Sequence, residues 1–289
     1  YYSGALDWHV ADFPPIESDT DLFRFRRHDE RFSRYAAAQL EELVDRFAPD
    51  VLWNDIEWPD GGKGREDYAV AALLERYFDK VPEGVVNDRW GVPYHGFLTR
   101  EYTDVAGIQE KVWESTRGLG FSFGYNQMEG PEKTLSVTEL VHFLADVVSK
   151  NGNLLLNIGP MADGTIPPIQ LERLKGLGRW LAINGDAIYA TRPWEVAEGV
   201  AEGGVQVRYT ARGETVYAIM LGERSGPTLL TDLNLIEGSV VKLLGHTEPL
   251  AWANTESGVR IELPAQSPNT PAMALSISPR PRLAHYARS

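Results

Sequence analysis

The chain has 289 residues and no cysteine, and its 41 acidic and 28 basic side chains give a formal net charge of −13. This length suggests one large domain or two ordinary ones, with enough core to fold without a disulfide or a structural metal. The negative charge argues against nucleic acid or an anionic membrane surface as the main partner. The lack of cysteine excludes disulfides, thiolate-bound zinc and thiol nucleophiles.

Helix and strand signals alternate over the first two thirds of the chain. Apolar side chains spaced by three and four predict helices at 28–47, at 66–79, after Ser136 and after Pro167. Short apolar or aromatic runs predict strands at 1–4, 51–55, 85–90, 118–125 and 154–158. Ser136 and Glu139 have the spacing of a capping box, in which each side chain accepts a backbone N–H at the helix start.

The predicted fold class is α/β, with a partial (β/α) barrel followed by an antiparallel β-sandwich. Strands that alternate with helices through short links predict parallel strands with right-handed crossovers. Four to five such units are visible, fewer than the eight of a closed barrel. After Pro193 the pattern changes to short alternating strands separated by Gly, Pro and Asn, which is typical of a sandwich. We therefore expect the barrel part at 1–192 and the sandwich at 193–289.

Several polar and aromatic side chains fall where predicted strands end, which is where β/α barrels carry their chemistry. Asp55 ends one strand beside Trp53, and Asp88 and Arg89 end the next. Glu101 offers a second acid. Aromatic faces beside carboxylates suit a sugar, and two carboxylates suit glycoside hydrolysis.

Each of these residues also has an ordinary structural interpretation. Asp55 alone could cap a helix, Asp88 and Arg89 could form a structural ion pair, and Glu101 could be a solvated surface acid. Trp53 and Phe123 could belong to the core. These alternatives stay open on the residues alone.

Five motifs in order resemble the α-L-fucosidases of glycoside hydrolase family 29, from residue 1 to about 195. They are Tyr1-Tyr2-Ser3-Gly4-x-Leu6-Asp7-Trp8, Pro49-Asp50-Val51-Leu52-Trp53-Asn54-Asp55, Glu83-Gly84-Val85-Val86-Asn87-Asp88-Arg89-Trp90-Gly91, Trp113-Glu114-x-Thr116-Arg117-Gly118-x-Gly120-x-Ser122-Phe123-Gly124-Tyr125-Asn126 and Asn153-Leu154-Leu155-Leu156-Asn157-Ile158-Gly159-Pro160. The predicted sandwich behind them fits the family's C-terminal domain.

The resemblance implies a retaining exo-glycosidase that acts on terminal α-L-fucosyl linkages. It implies that Asp55 is the nucleophile and that Glu101, in the Thr-x-Glu-Tyr position, is the acid/base. It further implies that Tyr1, Trp53, Arg89 and Phe123 line the sugar pocket. The two carboxyl groups of a retaining enzyme are expected about 5–5.5 Å apart.

Two features depart from the family pattern. Glu57, two residues after Asp55, could compete with Glu101 as the acid. The first barrel strands of the family, which supply histidines and a Glu-Trp pair to the pocket, have no counterpart here. We expect the missing part to come from a longer protein, from a complementing N-terminal barrel segment or from a second copy in a homo-oligomer. The alternative is that the fold is adapted to its loss.

The expected partner is a fucosylated glycan or glycoside. One alternative function is a non-catalytic fucose-binding or interaction protein, because half of the pocket is missing. Another is a retaining glycosidase that acts on a different deoxy sugar or a galacto-configured sugar. The sequence has no metal-ligand spacing and no glycine-rich phosphate loop, so we expect no cofactor and no metal.

Overall fold

The computed structural model describes residues 2–3, 17–25, 28–231, 233–264 and 270–284. The chain divides into two compact units, Tyr1–Thr99 and Arg100–Ser289. None of the described helices is both long enough and apolar enough to cross a membrane.

The first unit is built from short parallel strands and two long helices. Its elements are β1 (Tyr2–Ser3), α1 (Asp19–Arg24), α2 (Glu30–Phe47), β2 (Val51–Leu52), β3 (Asn54–Asp55), α3 (Val70–Lys80) and β4 (Val85–Val86). Strand β1 pairs in parallel with β3, and β2 pairs in parallel with β4. Strand β5 (Leu98–Glu101) begins in this unit and ends in the second.

Both long helices of the first unit confirm the helices predicted at 28–47 and 66–79. The Asp29 side chain accepts the N–H of Phe32 at 2.9 Å, so α2 begins there, and the left-handed backbone of Ala48 ends it before Pro49. The apolar faces of the two helices pack together with Trp58 and Trp90, whose rings stack 5.8 Å apart. Trp90 is fully buried, so this indole belongs to the core.

The second unit begins with two further β/α pairs. Its elements are β6 (Trp113–Gly118), α4 (Val137–Ser149), β7 (Gly152–Asn157) and α5 (Pro168–Asn184). Strands β6 and β7 are parallel over their whole length. The capping box at α4 is confirmed, because the Ser136 side chain accepts the N–H of Glu139 and the Glu139 carboxylate accepts the N–H of Ser136.

The strand predicted at 118–125 is wrong, since β6 ends at Gly118. Gly118 is paired with Asn157, the last residue of β7, so the neighbouring strand offers no further partner. A Cβ at Gly118 would lie 2.6 Å from the Ser122 carbonyl, because the chain folds back there. The alternation of Gly and aromatic residues after Gly118 led to this prediction. The strand itself precedes that stretch and contains Glu, Ser, Thr and Arg.

A large antiparallel sheet follows, which fits a β-sandwich domain. Its strands are β8 (Arg192–Ala201), β9 (Val205–Arg212), β10 (Thr215–Met220), β11 (Gly226–Leu230), β13 (Val240–Leu243), β14 (Pro249–Leu250), β15 (Trp252–Thr255), β16 (Gly258–Leu263) and β17 (Met273–Ser278). Their order is β14-β13-β17-β10-β9-β8-β11-β16-β15, and β12 (Leu233–Asn234) pairs separately with β18 (Arg282–Leu283).

Strand β10 shows how the second unit is held together. Its residues Val216, Ala218 and Met220 point into the core of the sheet, while Tyr217 and Ile219 pack against side chains of α4 and α5. The two faces follow from the period of two along a strand. Residues on both sides of position 192 thus share one core, and the domain boundary between 192 and 193 stays a prediction, as does the partial barrel.

Candidate active site

Asp55 ends strand β3 and lies directly before an unusual stretch of backbone. Ile56 and Glu57 have φ values of 61° and 63°, in the left-handed region that side chains rarely adopt and that is least favourable for a β-branched residue. The N–H of Ile56 donates to Asp55 Oδ1 at 2.9 Å. Strained backbone of this kind persists where surrounding contacts enforce it, and it is common at functional sites.

Arg89 fixes the Asp55 carboxylate from the neighbouring strand end. Its Nη1 donates to Asp55 Oδ1 at 3.1 Å, and both side chains are about one fifth exposed, at 21% and 22%. The guanidinium lies over the Trp53 ring, 4.8 Å from its centroid. A buried indole, a cation and a carboxylate therefore lie side by side at the ends of β3 and β4.

Thr99 links Arg89 to Asp88. The Nε of Arg89 donates to Thr99 Oγ1 at 2.7 Å, and Thr99 Oγ1 donates to Asp88 Oδ1 at 2.7 Å. The N–H of Thr99 donates to the same oxygen at 3.0 Å. Asp88 thus contacts Arg89 through a hydroxyl, while Arg89 forms an ion pair with Asp55. The sequence did not single out Thr99.

Two buried asparagines hold the strand ends together. Asn87 Oδ1 accepts the N–H of Asn54 at 2.9 Å, and Asn87 Nδ2 donates to the Asn54 carbonyl at 2.7 Å. Asn54 Nδ2 in turn donates to the Arg89 carbonyl at 2.9 Å. Both side chains are fully buried, so these bonds satisfy polar groups that water cannot reach. They keep residues 54 and 55 beside residues 87–89.

Glu57 is engaged in an ion pair. Lys63 Nζ lies 2.8 Å from Glu57 Oε2 and 2.7 Å from Asp60 Oδ1. Burial acts to lower the pKa of Lys63, but hydrogen bonds to Asp60 and Glu57 outweigh it, so the pKa of Lys63 is raised. This contact gives Glu57 a structural partner within the loop that follows Asp55.

Glu101 ends strand β5 and is exposed. The next residue, Tyr102, has a φ of 45°, so each of the two predicted catalytic carboxylates is the last residue of a strand and precedes left-handed backbone. The Tyr102 hydroxyl donates to the Gly120 carbonyl at 3.2 Å and accepts the N–H of Gly118 at 3.0 Å. Tyr102 is thereby fixed to the end of β6.

Phe123 lies beside Tyr102 rather than in the core. Its side chain is 41% exposed, and the two ring centroids are 5.5 Å apart in an edge-to-face arrangement. The Phe123 carbonyl accepts a hydrogen bond from Asn157 Nδ2 at the end of β7. An exposed aromatic ring held in this way can form one wall of a sugar pocket.

The structure groups the predicted site residues by unit. Asp55, Trp53 and Arg89 lie together in the first unit. Glu101 lies in the second unit directly before Tyr102, whose ring contacts that of Phe123. Tyr1 lies outside the described residues. Within the described ranges, no group of three or more His, Asp or Glu side chains could hold a metal ion. The expected separation of Asp55 and Glu101 stays a prediction.

Two family models match the chain. The model described as alpha-L-fucosidase matches residues 1–186, and the model described as alpha-L-fucosidase C-terminal domain matches residues 203–278. The first covers more than half of the sequence.

Curated proteins similar to this chain are also named alpha-L-fucosidases. The chain is 36% identical over 240 residues to an alpha-L-fucosidase of Branchiostoma floridae, which covers 80% of this chain and 53% of that protein. It is 34% identical over 276 residues to the plasma alpha-L-fucosidase of Homo sapiens, covering 91% and 57%. The chain therefore spans about half the length of these relatives.

A solved structure shares the fold at higher identity. The alpha-fucosidase of Thermotoga maritima, in complex with a mechanism-based inhibitor, matches 96% of this chain and 64% of its own with a TM-score of 0.85 and 43% sequence identity. The same enzyme in complex with fucose gives a TM-score of 0.83.

Proposed function

The chain belongs to the α-L-fucosidase family, and from that membership we propose that it is the catalytic part of a retaining exo-glycosidase that hydrolyses terminal α-L-fucosyl linkages. The observation that carries this proposal is the Asp55 carboxylate, held by the N–H of Ile56 and by Arg89 at the end of a parallel strand. A carboxylate at such a strand end is in the position from which β/α enzymes act.

In the proposed first step, a carboxylate oxygen of Asp55 attacks the anomeric carbon of fucose. The bond between that carbon and the glycosidic oxygen breaks, and Glu101 donates its proton to the departing oxygen. In the second step Glu101 takes a proton from water, the water oxygen attacks the same carbon, and the bond to Asp55 breaks. Two inversions return the original configuration at the anomeric carbon.

Arg89 and Trp53 support this role for Asp55. The guanidinium orients the carboxylate, because its Nη1 donates to Asp55 Oδ1. The hydrogen bonds from Arg89 to Thr99 and the cation–π contact with Trp53 keep the guanidinium in place. We propose Trp53, Arg89, Phe123 and Tyr1 as residues that contact the fucosyl group.

Glu101 is the better of the two candidate acids. Glu57 is held in an ion pair with Lys63 within the loop that follows Asp55, which gives its carboxylate a structural role. Glu101 is the last residue of β5 and precedes the fixed Tyr102, as Asp55 is the last residue of β3 and precedes left-handed backbone. We therefore assign the acid/base role to Glu101.

The alternative, a fucose-binding protein without turnover, is less favoured because the matched relatives are named as fucosidases. The expected partner is a fucosylated glycan or glycoside. We propose that the remaining pocket residues come from a longer protein, a complementing segment or a second copy of the chain.

The deciding experiment compares the full chain with Asp55→Gly on an aryl α-L-fucoside. We expect hydrolysis by the unchanged chain, near-complete loss in the variant, and formation of fucosyl azide when azide is added. NMR of the first product should show the α anomer. Full activity of Asp55→Gly would contradict the assignment, and calorimetric binding of L-fucose without hydrolysis by the unchanged chain would favour the non-catalytic alternative.

A further inference from the structure

The loop that follows Asp55 has a backbone conformation that needs support. The N–H of Ile56 donates to Asp55 Oδ1 at 2.9 Å, and the φ values of Ile56 and Glu57 are 61° and 63°. Left-handed backbone is unfavourable for residues other than glycine, and most of all for a β-branched one. Such a conformation persists only where surrounding contacts enforce it. The hydrogen bond to Asp55 therefore depends on what holds residues 56 and 57.

Lys63 contacts two carboxylates of this loop. Its Nζ lies 2.8 Å from Glu57 Oε2 and 2.7 Å from Asp60 Oδ1, and its side chain is only 20% exposed. Since Glu57 directly follows Ile56, the ammonium holds the second residue of the left-handed stretch by its side chain. This contact needs an acceptor oxygen at position 57, which an amide would also provide.

The same ion pair packs against the loop that follows β4. Gly91 has a φ of 69°, and a Cβ at this position would lie 2.7 Å from Lys63 Nζ and 2.8 Å from Glu57 Oε2. The missing side chain of glycine thus leaves the space that the ion pair occupies. Gly91 comes two residues after Arg89, which contacts Asp55. The ion pair therefore lies between the loops that follow Asp55 and Arg89.

Other parts of the loop are attached independently of Lys63. The N–H of Trp58 donates to the Trp90 carbonyl at 3.1 Å, and both indoles are fully buried. The N–H of Gly61 donates to the His28 carbonyl at 2.8 Å, just before α2 begins. Loss of the ammonium should therefore leave the loop attached to the core while it frees the segment between Asp55 and Trp58.

We propose that Lys63 is a positioning residue for the nucleophile. It holds Glu57 against Gly91, and this keeps Ile56 in the conformation in which its N–H donates to Asp55. The inference rests on the proposed function, in which the Asp55 carboxylate attacks the sugar. A misplacement of about 1 Å at such a group can cost about 10²-fold in rate.

The conformational role is tested first, without catalysis. Asp55-Ile56 is the only Asp-Ile pair in the sequence, so ¹³C in aspartate carbonyls and ¹⁵N in isoleucine give one NMR signal from this peptide bond. We expect Lys63→Cys to move the Ile56 amide proton upfield, because its hydrogen bond to Asp55 weakens. Lys80→Cys is the matched control and should leave the signal unchanged, since Lys80 pairs with Asp45 at an exposed site of the same unit.

Chemical rescue separates the ammonium from general packing. The sequence has no cysteine, so 2-bromoethylamine can alkylate Lys63→Cys at a single thiol. The thiolate sulfur displaces bromide and gives a side chain that differs from lysine by one sulfur in place of a methylene. We expect the Ile56 signal to return, and mass spectrometry verifies the single adduct.

A second variant guards against misfolding. Lys63→Met has a similar length without the charge and should move the Ile56 signal as Lys63→Cys does, and circular dichroism checks that the variants are folded. An Ile56 signal in the same place in the unchanged chain and in both variants overturns the proposal. So does a moved signal that alkylation does not restore.

Kinetics then separate this inference from the proposed function. On an aryl α-L-fucoside, kcat should fall about tenfold in Lys63→Cys with a smaller change in KM, and alkylation should restore it. A moved Ile56 signal without hydrolysis by the unchanged chain supports the conformational role of Lys63 and overturns the proposed function. Hydrolysis by the unchanged chain with an equal kcat in Lys63→Cys overturns the positioning role alone.

Discussion

Arg89 Nη1 lies 3.1 Å from Asp55 Oδ1, joining two side chains that are 34 positions apart in the sequence. The same guanidinium lies over Trp53 and donates to Thr99, so three neighbours determine its orientation. A carboxylate oriented in this way needs little rearrangement before it attacks.

Replacing Arg89 by lysine should therefore impair catalysis even though the charge is kept. A lysine cannot contact Asp55, Thr99 and the Trp53 face at once, because its ammonium is a point charge without a planar fork. We expect kcat on an aryl α-L-fucoside to fall about 10²-fold. Arg76→Lys is the matched control, since Arg76 forms an exposed ion pair with Glu41 at 2.6 Å. Equal losses in both variants would count against a specific role for Arg89.

Thr99 is expected to be a positioning residue that acts through Arg89. Thr99→Val keeps the shape of the side chain but removes the hydroxyl that accepts from Arg89 and donates to Asp88. We expect kcat to fall about tenfold with a smaller change in KM, because two hydrogen bonds to charged groups are lost. Thr99→Ser should restore the rate. A loss in Thr99→Ser equal to that in Thr99→Val would show that packing, and not the hydroxyl, matters.

The choice between Glu101 and Glu57 can be made with two variants. Glu101→Ala should lower the hydrolysis of natural fucosides, which need a protonated leaving group, about 10²–10⁴-fold. An activated aryl fucoside should suffer less, and azide should restore part of its turnover. Glu57→Gln should keep the rate on both substrates while lowering the melting temperature, because Lys63 loses a partner. The reverse pattern would assign the acid to Glu57.

Much of this site could be anticipated from the order of residues along the chain. Strand ends are where β/α proteins collect functional groups, so Asp55 and Arg89 were singled out as site residues, and the structure shows an ion pair between them. Their roles in the site stay a prediction. The helices were predictable for a similar reason, since their apolar faces have a period that the sequence shows directly.

What the sequence did not reveal depends on pairing between distant residues. Asn54, Asn87 and Thr99 matter because of the backbone and side-chain groups they meet across strand ends, and nothing in their local pattern identifies those partners. The register of β8 shifts between Pro193 and Glu198, which interrupts the alternation that marks a strand, so the bounds of β8 could not be predicted from the local pattern. The left-handed backbone after both carboxylates could not be predicted either, because the residues that adopt it are not glycines.

The capping box at α4 should contribute measurable stability. The Glu139 carboxylate accepts hydrogen bonds from the Ser136 hydroxyl and N–H, and these bonds lower the pKa of Glu139 below its usual value of 4.5. Ser136→Ala should reduce the free energy of unfolding by about 1 kcal/mol. Urea titrations at neutral pH provide the measurement.

The direction of the pKa shift of Glu139 determines how the stability contributed by this contact depends on pH. Because the folded pKa of Glu139 is depressed, its contribution is present above the unfolded pKa and is lost as the pH falls through the folded value. The difference between the unchanged chain and Glu139→Gln should therefore shrink below about pH 4.5. A difference that stays constant down to the acid limit would contradict this explanation.

The stability contributed by Lys150 depends on pH in the opposite sense, and it changes in the alkaline range. Burial acts to lower the pKa of Lys150, but hydrogen bonds to Glu198 and Asp146 outweigh it and raise that pKa. The ammonium lies 2.7 Å from Glu198 and 2.9 Å from Asp146, and Arg208 Nε contacts Asp146 at 2.7 Å. This network joins α4 to β8 and β9.

A raised folded pKa means that the stabilisation from Lys150 is complete below the unfolded value of about 10.5 and is lost as the pH rises through the folded value. Lys150→Met should lower the free energy of unfolding by about 2 kcal/mol at pH 8, and the gap to the unchanged chain should close above about pH 10.5. Lys80→Met is the control, because Lys80 pairs with Asp45 at an exposed site and should change stability by less than about 1 kcal/mol. Chemical denaturation across this pH range measures both variants, and a gap for Lys150→Met that persists at the highest pH would show that lost packing, and not lost charge, destabilises the variant.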